Sequence, residues 1–173
     1  MAIPTTRCEA LKSKPDEDSL GFGTLFTDYM FNMDYDQQSG WHNPRIEPYG
    51  PIVMDPATMF LHYGQGIFEG LKAYRTASDR IQLYRPQENI SRLNRSCRRL
   101  CIPEVDEDFA LDAMKQLIEL EKDWVSGAPG TQSFSRRIQS GKNSGNLRLC
   151  AGRARRSRGS QNSRQLCLQS AGW

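Results

Sequence analysis

The order of apolar patterns along this 173-residue chain, strands first and helices after, predicts an α+β domain followed by an irregular segment. Three observations carry that expectation. Residues 22–36, FGTLFTDYMFNMDYD, place apolar side chains on both alternating faces, as a strand covered on two sides requires. Residues 86–124 twice show the three-to-four-residue spacing of an amphipathic helix. From Gln132 to Trp173 there are nine basic residues and no acidic one, against 14 basic and 20 acidic from Met1 to Thr131. The domain is therefore expected over residues 20–131, with 1–19 a flexible N-terminus and 132–173 a disordered tail.

Residues 1–19 are polar, with Lys12, Lys14, Asp16, Glu17 and Asp18. Gly21 and Gly23 bracket the entry to the strand, on which Phe22, Phe26 and Met30 oppose Leu25, Tyr29, Phe31 and Met33. Asp36 to Gly40 supplies a turn. Trp41 to Pro56 carries four prolines and should run extended, with short strand pieces in IEPYGPIVM and with Asp55 or Pro56 opening a helical turn. LKAYR and RIQLYR flank TASD as a β-hairpin would, which sets Arg85 at the end of the second strand. Pro86 then starts a helix with the apolar stripe Ile90, Leu93, Cys97 and Leu100; Arg92, Arg95 and Arg98 read as its solvated face, and Pro103 stops it. Asp106 caps a second helix that runs through Phe109, Ala113, Met114, Leu117, Ile118 and Glu121 to Trp124, with acids in its first turn.

Composition excludes some classes. No apolar run approaches the roughly 20 residues of a spanning helix, and the N-terminus lacks the apolar core of a secretory signal, so the cytoplasm is expected. Cys8, Cys97, Cys101, Cys150 and Cys167 are scattered, without a CxxC pair or clustered histidines. Neither a disulfide framework nor a metal site is indicated.

The functional signal lies in LHYGQGIFEGLKAYR, Leu61 to Arg75. Gly64, Gly66 and Gly70 would let the backbone turn tightly and approach a ligand, while Tyr63 and Phe68 supply rigid walls. By composition alone this is a pocket rim or a turn with core aromatics. Its wording, followed by LYRP at Leu83 to Pro86, closely resembles the branched-chain amino-acid aminotransferases, fold-type IV enzymes that use pyridoxal 5′-phosphate (PLP). The resemblance runs from about Leu20 to Thr131, through FGTLFTDYMF, GWHNPRIEPYGPI, LYRPQENISRLNRSCRRLCIP and the IELEKDWV helix, and covers the family's smaller N-terminal domain.

That resemblance implies roles. The phosphate-binding arginine falls on Arg85, the aromatic substrate-pocket residues on Phe22 and Phe68, and a tyrosine reaching toward the partner subunit's site on Tyr63. A planar guanidinium grips a phosphate through two parallel charge-assisted hydrogen bonds, which lysine does not reproduce. Phe22 and Phe68 would discriminate Leu, Ile and Val by contact area alone. A surface ion pair for Arg85 and core packing for both phenylalanines are the bland alternatives. The resemblance further implies a homodimer, branched-chain amino acids and 2-oxoglutarate as substrates, and PLP as cofactor. Sister enzymes on the same fold, D-amino-acid aminotransferase and aminodeoxychorismate lyase, are the rival assignment.

The family segment after APGT reads like SLYIRP, whereas here it is QSFSRR, and Phe134 and Arg136 align with it only loosely. No catalytic residue is assigned. The family lysine that holds the cofactor as a Schiff base sits in a K-T-A-G-N-Y-A-S-S-L-L-A motif, which this chain does not contain; Lys142 in SGKNSGN lacks the tyrosine and the setting. The last fifteen residues, GSQNSRQLCLQSAGW, back-translate with permitted codons so that a one-base shift reads A-P-K-T-A-G-N-Y-A-S-S-L-L-A. The tail is therefore read as the family's own sequence out of frame, and the chain as an inactive, truncated form. A true basic extension that binds nucleic acid is the competing explanation; with only Phe134 and Trp173 available to stack on bases, the composition argues against that partner.

Overall fold

A computed structural model describes residues 1–16 and 25–126 with their side chains, and the backbone of Ser135–Gly141 and Gly145–Arg153. Phe22, Phe134 and Lys142 lie outside the described residues.

Two hairpins frame the fold. β1 (Leu25–Asp36) pairs antiparallel with β2 (Gly40–Pro48) across the expected turn, where Asp36 Oδ1 accepts from the amides of Gln38 and Ser39 at 2.8 and 2.6 Å. β3 (Gly66–Arg75) pairs with β4 (Ile81–Leu83) across residues 76–80. Between them, Asp55 opens the helical turn as its sequence suggests: its Oδ1 accepts from Ala57 N at 2.7 Å and its carbonyl from Thr58 N at 2.9 Å. α1 (Met59–Tyr63) follows and stops at Gly64, which adopts φ +59. α2 (Pro86–Arg99) begins at its proline. α3 (Glu107–Leu120) is capped by Asp106, whose Oδ1 takes Phe109 N at 2.7 Å, and a 3₁₀ turn at Lys122–Trp124 completes it.

Periodicity explains the layers. Along β3, Ile67, Glu69, Leu71 and Ala73 are buried while Phe68 and Gly70 are exposed, so one face turns to the helices and the other does not. β1 is buried at every position from Thr27 to Met33, as a strand covered on both faces should be. α2 packs on β3 and α3 on β1, where Phe31 meets Phe109 with ring centroids 6.4 Å apart. Phe31, Ile46, Ile90, Leu93, Met114 and Leu117 are the largest fully buried apolar side chains among the described residues, each contributing about 1.5–3 kcal/mol by leaving water. Leu100, expected in the α2 stripe, is 40% exposed because the helix ends one residue before it. Among the described residues no helix is long and apolar enough to cross a membrane.

Three expectations meet a different structure. The proline-rich stretch forms one nine-residue strand, β2, because Asn43 (φ +52) and Pro44 fall at a register shift where the missing N–H costs no ladder bond. Past Pro48 the chain leaves the sheet, and Ile52, Val53 and Met54 are exposed. The N-terminal residues expected to be flexible are strapped down over 1–16. Ile3 enters the core, Thr5 bridges to Ile46, and Cys8 N donates to the Tyr29 hydroxyl at 3.1 Å. Finally, residues expected to be irregular supply β5 (Ser135–Gly141) and β6 (Gly145–Arg153), giving the sheet order β2-β1-β6-β5-β3-β4. The physical reason is that β1 and β3 present strand edges, and backbone N–H and C=O groups pair with any extended segment whatever its side chains.

Candidate functional site

Of the residues assigned by resemblance, Tyr63 and Phe68 stand on either side of the Gly64 turn and expose their rings, at 76% and 57%. Gln65 fixes that turn by donating Nε2 to the Leu100 carbonyl at 2.7 Å, which places it at the C-terminal end of α2. Among the described residues, a Cβ built on Gly70 would meet nothing within 4 Å, so they leave the face carrying Phe68 open at that point. Phe22, the second expected wall, is outside the described residues.

Arg85 is at the other end. It is the N-cap of α2, in the left-handed region at φ 44, and its Nη2 pairs with Glu88 at 2.9 Å. Both side chains are more than half exposed, and such a pair is worth well under about 1 kcal/mol. Arg85 borders a cleft of about 570 Å³ between β4, the start of α2 and α3, with Lys115 and Glu119 also on its wall. A 14-residue helix is about 20 Å long, so the structure does not bring Arg85 together with Tyr63 at the Gly64 turn.

Sequence reasoning missed a second arginine. Arg92, read there as part of a solvated face, reaches down from α2 to Glu69, the residue that follows Phe68. Its Nε donates to Glu69 Oε2 at 2.7 Å and its Nη2 to Oε1. Glu69 is 6% exposed, yet its carboxylate is saturated: Oε1 also takes Gly70 N at 3.1 Å and Asn89 Nδ2 at 3.0 Å. Asn89 Nδ2 lies 2.9 Å from the Gly70 carbonyl as well, so α2 seals the edge of β3 that β4 is too short to cover. The ion pair with Glu69 holds the Arg92 guanidinium charged still more firmly than usual. A signal for it was legible. An acid in the inward register of an otherwise apolar strand needs a cation partner, and α2 offers its arginines at the matching spacing.

Cys97 is buried, which pushes its thiol up to about 11, and among the described residues Cys8, Cys97 and Cys101 form no disulfide.

No family model matches the chain. It is 58% identical over 125 residues to branched-chain-amino-acid transaminase 1 of Bacillus subtilis (strain 168), covering 72% of this chain and 35% of the relative. To branched-chain-amino-acid aminotransferase 2 of the same strain it is 53% identical over 125 residues, covering 72% and 34%. To a probable branched-chain-amino-acid aminotransferase of Staphylococcus aureus (strain N315) it is 48% identical over 135 residues, covering 78% and 37%. The chain thus spans about a third of the length of these curated relatives. Its backbone is similar to that of the Escherichia coli branched-chain amino acid aminotransferase, with TM-score 0.55, 18% identity, and 72% and 39% of the two chains covered. It is also similar to a second branched-chain amino acid aminotransferase, solved with pyridoxamine 5′-phosphate, with TM-score 0.53, 19% identity, and 75% and 41% covered. At those identities the two structures establish the fold alone, and it is the α+β fold that the sequence predicts.

Proposed function

We propose, from the premise that the N-terminal three quarters of this chain belong to the branched-chain aminotransferase family, that this stretch is the smaller domain of an enzyme that passes an amino group between Leu, Ile or Val and 2-oxoglutarate. The observation that carries the reading is the 58% identity over 125 residues. PLP would supply the electron sink for moving the amino group and a proton. What this chain's residues would contribute is a grip on the phosphate and apolar walls for the side chain being exchanged.

Two arginines fit a phosphate grip. The resemblance assigns it to Arg85, whose weak exposed pair with Glu88 is easily exchanged for a phosphate. Arg92 is favoured by geometry. Glu69 occupies the Nε edge of its guanidinium, which leaves the Nη1/Nη2 edge for two parallel hydrogen bonds to an anion. Phe22 and Phe68 would bound the aliphatic pocket, and Tyr63 would reach a neighbouring subunit of a homodimer in the cytoplasm. The chain as written is read as inactive, because its lysine motif falls in the shifted frame over Gly159 to Trp173.

A full-length, in-frame homologue tests this. It should convert L-leucine to its ketoacid with 2-oxoglutarate; turnover of D-alanine without L-leucine would transfer the assignment to the sister enzymes. Separately, replacing the arginines equivalent to Arg85 and Arg92 with Gln in that homologue identifies the grip, as the variant whose affinity for PLP falls at least tenfold.

A further inference from the structure

Glu69 is a carboxylate within reach of the proposed anion site, which by simple charge should weaken it. The geometry points to the opposite: we propose that Glu69 is a positioning residue for phosphate binding, holding the Arg92 guanidinium so that its free edge faces the ligand. This rests on the reading of Arg92 as the phosphate grip.

Four donors fix the acid. Gly70 N, Asn89 Nδ2 and Arg92 Nη2 all reach Oε1, and Arg92 Nε reaches Oε2. Saturated in this way and buried under α2, Glu69 cannot follow its partner, so Arg92 must come to it. The two contacts of the fork define the guanidinium plane as well as its location. The opposite edge, Nη1 with the second hydrogen of Nη2, then points away from Glu69, and Arg92 keeps 56% of its side chain exposed for an incoming group. An arginine side chain loses up to about 2 kcal/mol of rotamer freedom when fixed, and here that ordering precedes the ligand. Arg85 has no such anchor, since Glu88 is as exposed as it is.

The test uses the full chain and two probes, inorganic phosphate and PLP, with binding followed by calorimetry and folding by urea denaturation. Glu69→Gln should weaken both probes three- to tenfold, and Arg92→Lys, which keeps the charge but not the planar fork, should weaken them at least as much. In an Arg92→Gln background, Glu69→Gln should have no further effect on binding. Tighter or unchanged binding by Glu69→Gln, with Arg92→Gln still defective, would overturn the positioning role while leaving the Arg92 grip intact. Unchanged binding by Arg92→Gln would remove the grip itself, and the inference with it. Should Glu69→Gln not fold, Arg92→Lys decides, because wild-type affinity there would show that charge without orientation is enough.

Discussion

Asp28 and Glu69 are both acids buried in strands, 3% and 6% exposed, and their surroundings put them to different uses. Asp28 on β1 takes Lys12 N at 2.8 Å, Lys14 Nζ at 3.2 Å and Trp124 Nε1 at 2.7 Å. These donors come from the N-terminal strap and from the turn after α3, and Asp28 joins them to the sheet. Lys14 also stands over the Trp124 ring, 4.2 Å from its centroid. Glu69 likewise collects several donors, but one of them is the side of a cation whose other edge remains in solvent. The first arrangement consumes all its polar capacity on folding. The second leaves some for a ligand, which is the difference between a structural carboxylate and one that serves a site.

The sharpest break of this comparison is Asp28→Ala. It should cost about 3 kcal/mol in urea denaturation, because the buried Trp124 indole N–H and the Lys12 amide are left without their acceptor. The same deletion at Glu69 should cost less, about 1–2 kcal/mol, since Arg92 can return to water.

Acid should separate Asp28 from its neighbour Glu121, which is 1% exposed and accepts Tyr29 N at 2.5 Å. Burial alone would push the Asp28 carboxyl up, but the Lys12 amide, Trp124 and Lys14 together outweigh it and hold the group below its usual 3.8. Its folded value is depressed, so its contribution is complete above that ordinary value and is lost as pH falls through the lower, folded one. Burial, only partly offset by the Tyr29 amide, holds Glu121 above its usual 4.5. Its ionisation therefore opposes folding at high pH, and that penalty is relieved as pH falls through the raised value. Stability measured against pH should accordingly rise on mild acidification in the wild type, an increase that Glu121→Gln should abolish, before falling at lower pH through Asp28.

The smallest effect is expected at Arg85. Arg85→Gln should change stability by less than about 0.5 kcal/mol, because its pair with Glu88 is solvated on both sides. A loss near that of Asp28→Ala would mean that the cleft it borders is more tightly organised than the ion pair indicates.

Sequence patterns were read well where side chains alternate or recur against a single layer. The β3–β4 hairpin, the turn at Asp36 to Gly40, the Asp106 cap, the Pro86 start and the two-sided burial of β1 follow from local chemistry. What escaped were contacts between distant residues carrying little local signal. The strap depends on backbone amides at Cys8 and Lys12 finding Tyr29 and Asp28, and no pattern in a polar N-terminus announces that. Arg92 looked like one exposed arginine among several until Glu69 was seen in its inward register. β5 and β6 were missed for a third reason: SRRIQSG holds one large apolar residue, and strand pairing itself needs none. Hydrogen exchange should distinguish these pairings. Amides of Ser135–Gly141 are expected to exchange at least tenfold faster than those of the β1–β2 ladder, whereas equal protection would count against an out-of-frame origin for that segment.

Under the proposed function, this chain carries the phosphate-holding, aromatic domain of an aminotransferase without the lysine that moves the proton. Incubating the purified full chain with PLP, L-leucine and 2-oxoglutarate tests it most directly, with the branched ketoacid measured over hours. No ketoacid above a protein-free control is expected. Ketoacid formed by the chain, and abolished by Lys142→Ala, would contradict it.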